Sequence, residues 1–179
     1  MSAPSGRLLG WLVAVAAIVV ATLLLRSYFA AGDSAARGGP AGLVGSQARS
    51  FVVADTAGRP MSLKSFAGKT IVLNLWASWC PPCRAEMPDL ERLYRAQRAR
   101  GVVVVGVDQG ESAERAASFA ASLGITYPIL VDDGQSYGDV YAALGLPSTF
   151  VIDPRGTIVR GFDGPLTYAQ MRDAVAAAR

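Results

Sequence analysis

Cys80 and Cys83 stand two residues apart in Trp79-Cys80-Pro81-Pro82-Cys83, and they are the only cysteines among 179 residues. Thiols at this spacing close a small ring on oxidation and reopen by exchange with another disulfide, through a mixed-disulfide intermediate. As a structural bridge the pair would constrain very little of the unfolded chain. Redox exchange is therefore the chemistry it suits. Histidine is absent, which removes an imidazole base, a Cys-His nucleophile and an imidazole metal ligand. Two cysteines supply only half the usual ligands of a structural zinc, and a copper carrier would lack the histidine that commonly joins two thiolates. Covalent haem attachment needs His directly after the second Cys, where this chain has Arg84. No metal and no cofactor is expected.

The pair needs an element that presents it. Thr70-Ile71-Val72-Leu73-Asn74-Leu75-Trp76 reads as a buried strand, and a helix is expected from Pro81 to about Arg98. A thiol at a helix start lies near unpaired N–H groups and the positive end of the helix dipole, so it ionises more readily. Pro81 and Pro82 fit the first helical positions, where an N–H has no intrahelical partner. Glu86 follows Cys83 by three residues and shares its helix face.

The remaining elements follow from periodicity and turn signals. Phe51 to Ala54 and Met61 to Leu63 predict two short strands about a turn containing Gly58. Further strands are expected over 101–108, 127–131, 148–153 and 157–162, the last two joined by Pro154-Arg155-Gly156. Helices are expected over 112–123, 136–144 and from Leu166 or Thr167 to Ala178. This order predicts an α/β fold with a central mixed sheet covered by helices on both faces.

Ahead of these elements, residues 8–25 form an uncharged, mostly apolar run bounded by Arg7 and Arg26. As a helix it would extend about 27 Å, close to the hydrocarbon thickness of a bilayer. Residues 1–29 therefore read as a membrane anchor or uncleaved signal, with a cleaved signal peptide as the competing reading. Flanking charge gives a tie for orientation. Residues 30–50, rich in Ala, Gly and Ser, read as a flexible linker, and residues 51–179 as one folded domain. Seventeen basic and fourteen acidic residues are scattered along the chain and carry no nucleic-acid signature.

The segment LNLWASWCPPC, then Arg84-Ala85-Glu86-Met87-Pro88, and later Gly145-Leu146-Pro147-Ser148-Thr149-Phe150-Val151-Ile152-Asp153, resemble thioredoxin-like thiol–disulfide oxidoreductases of the TlpA/ResA/CcmG type. Asp108-Gln109-Gly110-Glu111-Ser112 and Tyr127-Pro128-Ile129-Leu130 match in the same order. The resemblance implies a three-layer thioredoxin-like domain with an N-terminal β-hairpin, preceded here by one transmembrane helix. It also implies a membrane-tethered, periplasmic reductase of protein disulfides. Its clients would be apocytochrome c or a copper-site protein, recharged by a membrane electron-donor thiol protein, with membrane lipid around the anchor.

Within that resemblance Cys80 is the exposed attacking thiol and Cys83 the resolving one. Glu86 matches an acidic position of the redox site, and Pro147 a cis-proline that holds the Leu146 backbone for an extended substrate. Trp79 joins the docking surface and Trp76 belongs to the core. Asn74 replaces the buried aspartate of thioredoxins proper. A secretory disulfide oxidase and a thioredoxin-dependent peroxidase are the alternatives. The second lacks the Thr or Ser three residues before the nucleophile, where Ala77 stands.

Overall fold

Apolar runs with no polar alternation form strands covered on both faces, and two such runs lie side by side at the centre of this sheet. β3 (Thr70–Trp76) and β4 (Val102–Gln109) are parallel, in register from Thr70 opposite Val102 to Trp76 opposite Asp108, and buried throughout. β5 (Ile129–Asp132) runs parallel to β4. On the other side of β3 lie β6 (Ser148–Ile152) and β7 (Ile158–Asp163), both paired antiparallel. β1 (Val53–Asp55) and β2 (Pro60–Met61) form the N-terminal hairpin and complete a seven-stranded order β2-β1-β5-β4-β3-β6-β7.

This computed structural model describes residues 11–12, 15–22 and 40–178, which divide into the units Met1–Gly38 and Gly39–Arg179. In the first unit residues 11–12 and 15–22 are helical, and Thr22 Oγ1 donates to the Ile18 carbonyl at 2.9 Å. Among the described residues no helix is long and apolar enough to cross a membrane. The expected span over 8–25 lies partly outside them.

Four helices cover the sheet of the second unit: α1 (Pro81–Gln97), α2 (Ala113–Ser122), α3 (Ser136–Val140) and α4 (Tyr168–Ala176). Val72, Trp76 and Val104 meet Met87, Leu90, Ala116, Ala120, Met171 and Val175 on one face. Leu73, Leu75, Val105 and Phe150 meet Tyr137, Tyr141, Leu63 and Phe66 on the other. The expected three-layer thioredoxin-like arrangement is present.

Several boundaries differ from the sequence-based expectation for identifiable reasons. The third helix stops at Val140 instead of 144, and Ala142 sits at φ +49, a left-handed value that cannot continue a helix. The strand expected from 127 begins at Ile129, after Pro128, which has no N–H to contribute to a ladder. Residues 45–48, ahead of the expected domain start at 51, already bond to the main body of the sheet. Residues 45–48 run beside β7: Gly45 N donates to Ile158 O, Ile158 N to Ser46 O, and Ala48 N to Gly156 O, all within 2.9 Å. Pro40 is buried nearby, and a Cβ on Gly161 would collide with its carbonyl.

The β6–β7 turn is held by one carboxylate. Asp153 Oδ1 accepts from the N–H groups of Arg155 and Thr157, each at 2.9 Å. The Thr157 bond leads the set that holds its carboxyl below the usual range, against the opposing effect of burial. Asp153→Ala leaves two N–H groups without that partner and lowers the unfolding free energy by about 2 kcal/mol in urea titration at pH 7. An unchanged urea midpoint would refute this assignment of the turn's stability.

Candidate active site

β3 delivers the chain to the active end of the sheet, where Ala77, Ser78 and Trp79 lead into α1. Cys80 is the N-cap of α1, in extended backbone at φ −87, ψ 105, with prolines at the first two helical positions. Cys80 and Cys83 are joined as a disulfide with Cα atoms 5.3 Å apart. The Cys83 N–H donates to Cys80 Sγ at 3.3 Å, a backbone dipole that would stabilise a thiolate on that sulfur.

Cys83 is wholly buried, whereas Cys80 retains 3% exposure. In this disulfide form Cys80 is thus more covered than the exposed thiol expected. Trp79 beside it is 64% exposed, and Trp76 is in the core, as expected.

Across the sheet, Ser148 pairs with Leu75 and so brings the loop before β6 to the same end. The Leu146–Pro147 peptide is cis. Pro147 is buried and Leu146 half-buried. The Gly164 N–H donates to the Pro147 carbonyl at 2.8 Å, and Ser148 Oγ donates to Gly145 O and Asp163 Oδ1. Cys80, Trp79, Leu146 and Pro147 therefore share one end of the molecule.

Glu86 lies one turn beyond Cys83 on the buried side of α1 and is 3% exposed. Its Oε1 accepts from Asn74 Nδ2 at 2.7 Å and its Oε2 from the Leu166 N–H at 2.9 Å. Burial outweighs these two bonds and pushes the carboxyl up to about 7. Asn74 Nδ2 also donates to Thr149 Oγ1 at 3.0 Å, tying this acid to the strand that follows Pro147. Gly106, paired with Asn74, leaves room for the surrounding rings, since a Cβ there would lie 3.0 Å from Trp76 Nε1 and 3.1 Å from Tyr127 Cε2.

A second acidic group stands under the loop and was given no role from sequence. Glu111 accepts from the Ser78 N–H and, at 2.7 Å, from Ser78 Oγ. Arg115 Nε donates to the same hydroxyl at 3.0 Å. Burial raises the Glu111 carboxyl, but its bonds from Ser78 and its pairing with Asp108 and Arg115 hold it below the usual range. Burial, and then the neighbouring Glu111, push Asp108 up to about 8. Both residues fall in the Asp108–Ser112 match, which was the available signal. Among the described residues no group of three or more Cys, Asp or Glu side chains could hold a metal.

A profile of the AhpC/TSA family matches residues 44–160. The thiol-disulfide oxidoreductase ResA of Bacillus subtilis (strain 168) is 36% identical over 129 residues, covering 72% of each chain. ResA of Geobacillus thermodenitrificans is 37% identical over 124 residues, 69% of this chain and 71% of that one. Among solved structures, a putative thiol:disulfide interchange protein DsbE from Chlorobium tepidum superposes with a TM-score of 0.71 at 26% identity, covering 75% of this chain and 96% of that one.

Proposed function

Since the chain belongs to the AhpC/TSA family and, with its ResA-type relatives, is a thiol–disulfide oxidoreductase, we propose that it works as a reductase of protein disulfides in cytochrome c maturation or copper-site assembly, tethered outside the cytoplasm by residues 1–29. In the reduced state the Cys80 thiolate attacks one sulfur of a client disulfide. That S–S bond breaks, the client's other sulfur leaves as a thiolate and takes a proton, and Cys80 is left in a mixed disulfide. Cys83 gives its proton to the Glu86 carboxylate and attacks Cys80 Sγ. The second client thiolate departs, and the enzyme is left as the Cys80–Cys83 disulfide. Two electrons have passed to the client and are restored by an external thiol donor.

The observation that carries this reading is the position of Glu86: a buried carboxyl held near neutrality, one helical turn behind the resolving cysteine. A group with a pKa close to the working pH can accept a proton and return it. The Leu146 backbone beside the pair would align an extended client as an added strand.

Direction of electron flow is tested by the reduction potential. Pro81 and Pro82 contribute no cation to stabilise a Cys80 thiolate, and an ionised Glu86 opposes thiolate formation. A less stabilised thiolate makes a more reducing pair, so the potential is expected near that of thioredoxin, about −270 mV, and well below that of DsbA, about −120 mV. Equilibration with a glutathione or dithiothreitol buffer measures it. A value above roughly −180 mV, typical of protein disulfide isomerase, would overturn the reductase reading in favour of an oxidase. Pro82→His should raise the value by adding a cationic neighbour. Tethering is tested separately: the full chain should stay with washed membranes, and recovery of a freely soluble mature form would show a cleaved signal instead.

A further inference from the structure

Ser78 and Arg84, which flank the Cys80–Cys83 segment in the chain, line a cleft of about 310 Å³ together with Arg115, Ser118, Phe119 and Ser122. We propose that it receives an acidic side chain of the client protein, with Arg84 and Arg115 as the residues that select it. The proposal rests on the reductase reading and adds a substrate preference to it.

The position ties the cleft to the chemistry. Ser78 precedes Cys80 by two residues and Arg84 directly follows Cys83, so a client strand laid across the disulfide passes its mouth. Arg84 is exposed, with its guanidinium over the Phe119 ring, 5.5 Å from the centroid. Among the described residues no carboxylate stands within ion-pairing distance of it. A guanidinium resting on an aromatic face is already ordered, so a carboxylate that meets it loses less side-chain entropy than with a free lysine.

Arg115 supplies the second charge. Its Nε is engaged by Ser78 Oγ at 3.0 Å and by Glu111 at 3.6 Å, while the side chain remains 66% exposed. Glu111 is the acid that opposes the two arginines, and both its oxygens already accept bonds from Ser78. The cleft therefore keeps an excess of positive charge. The Ser78 and Ser122 hydroxyls already donate to Glu111 and to the Phe119 carbonyl, which leaves the Ser118 hydroxyl to donate to an incoming oxygen. A lysine or arginine on the client would meet two like charges at the same place.

The test uses three disulfide-closed peptides that differ in one residue beside a half-cystine: Asp, Ser or Lys. With the full chain at low salt, kcat/KM should rank Asp over Ser over Lys, with about a fivefold to tenfold spread between the extremes, as two partly exposed ion pairs allow. Raising salt to about 0.5 M should compress the spread by screening. Arg84→Gln together with Arg115→Gln should bring the three peptides to within about twofold of one another, and Arg84→Lys should retain part of the preference. Ratios between peptides cancel any change the substitutions make in the potential of the pair. Equal rates for the three peptides with wild type, or a preference that persists in the double variant, would overturn the cleft assignment and leave the reductase reading standing. Failure to reduce any peptide would overturn the reductase reading instead. Binding of the Asp peptide with its half-cystines replaced by serine, followed through Trp79 fluorescence, then reads the cleft by itself: preferential binding supports it and equal binding of the Lys peptide sinks it.

Discussion

With Cys83 replaced by serine, the protein accumulates covalent adducts with its clients; with Cys80 replaced, it accumulates none. Either substitution lowers the rate of disulfide reduction by at least ~10³-fold, because the two thiols act as a unit. The asymmetry follows from burial and from the helix start. Cys80 is the N-cap, keeps some exposure and receives the Cys83 N–H on its sulfur. Cys83 is closed off beneath it. A client disulfide can reach the first sulfur, and only Cys83 can release it afterwards. Non-reducing electrophoresis and mass spectrometry of the two variants read the result directly. Comparable adduct yields would show that the attacking and resolving roles are misassigned.

Glu86→Gln is expected to stabilise the fold above neutral pH while slowing the reaction. The Glu86 carboxyl is raised by burial from 4.5 to about 7, so the folded state holds its proton more tightly than the unfolded chain does. The stabilisation from that proton is fully present below about pH 4.5 and is lost as the pH rises through 7. At pH 8 the ionised group is a burden on the folded state, since each tenfold difference in proton affinity between the two states is worth about 1.4 kcal/mol. A neutral amide of the same shape removes most of that burden, for a gain of about 2 to 3 kcal/mol at pH 8 and little change at pH 4. Asn74 can adapt, since its Oδ1 has no partner and can turn to accept from the new amide. Urea titrations at several pH values would show the difference. Asp108, held near 8 by its own burial and by Glu111, keeps a separate dependence at the alkaline end. Kinetically, the resolving thiol loses its proton acceptor, and reduction at pH 7 should fall by about 10²-fold, with the inflection near pH 7 gone from the rate profile. A variant that is no more stable at pH 8, or that keeps the inflection, would exclude Glu86 from both roles.

Much of the fold, and the candidate pair with its helix start, is legible in the sequence. The near-continuous apolar runs in β3 and β4, broken mainly by Asn74 and by Asp108 and Gln109 at the end, point to the centre of the sheet, and prolines after Cys80 mark the helix start. Glu86 is a candidate from the sequence because helical spacing sets it on the Cys83 face and the family resemblance marks the position, and it lies buried one turn beyond Cys83. Glu111 is not one, because its partner Ser78 is 33 residues away and only the fold brings them together. Residues 40–50 were misleading for a different reason. Their small, polar composition matches a linker, yet their order comes from backbone bonds to β7, which carry no signature in side-chain type. The short α3 depended on a left-handed Ala142, a conformation that no residue preference at that position announces.

That run along β7 has a consequence for how the protein survives among unfolded chains. An exposed strand edge is a template on which any extended peptide can grow, and it is a common origin of aggregation. Here residues 45–48 cover the start of β7 at Ile158, and Pro40 packs against Gly161 further along that edge. At the opposite edge β2 has two residues, one of them Pro60, which offers no N–H. A reductase of protein disulfides, as proposed above, would meet partly folded partners as routine. With both flanks of its sheet blunted, such a partner would be left the loop before Pro147, at the same end of the sheet as Cys80, as its main-chain foothold. The same edge protection that opposes strand-on-strand aggregation would also channel its encounters toward the redox pair.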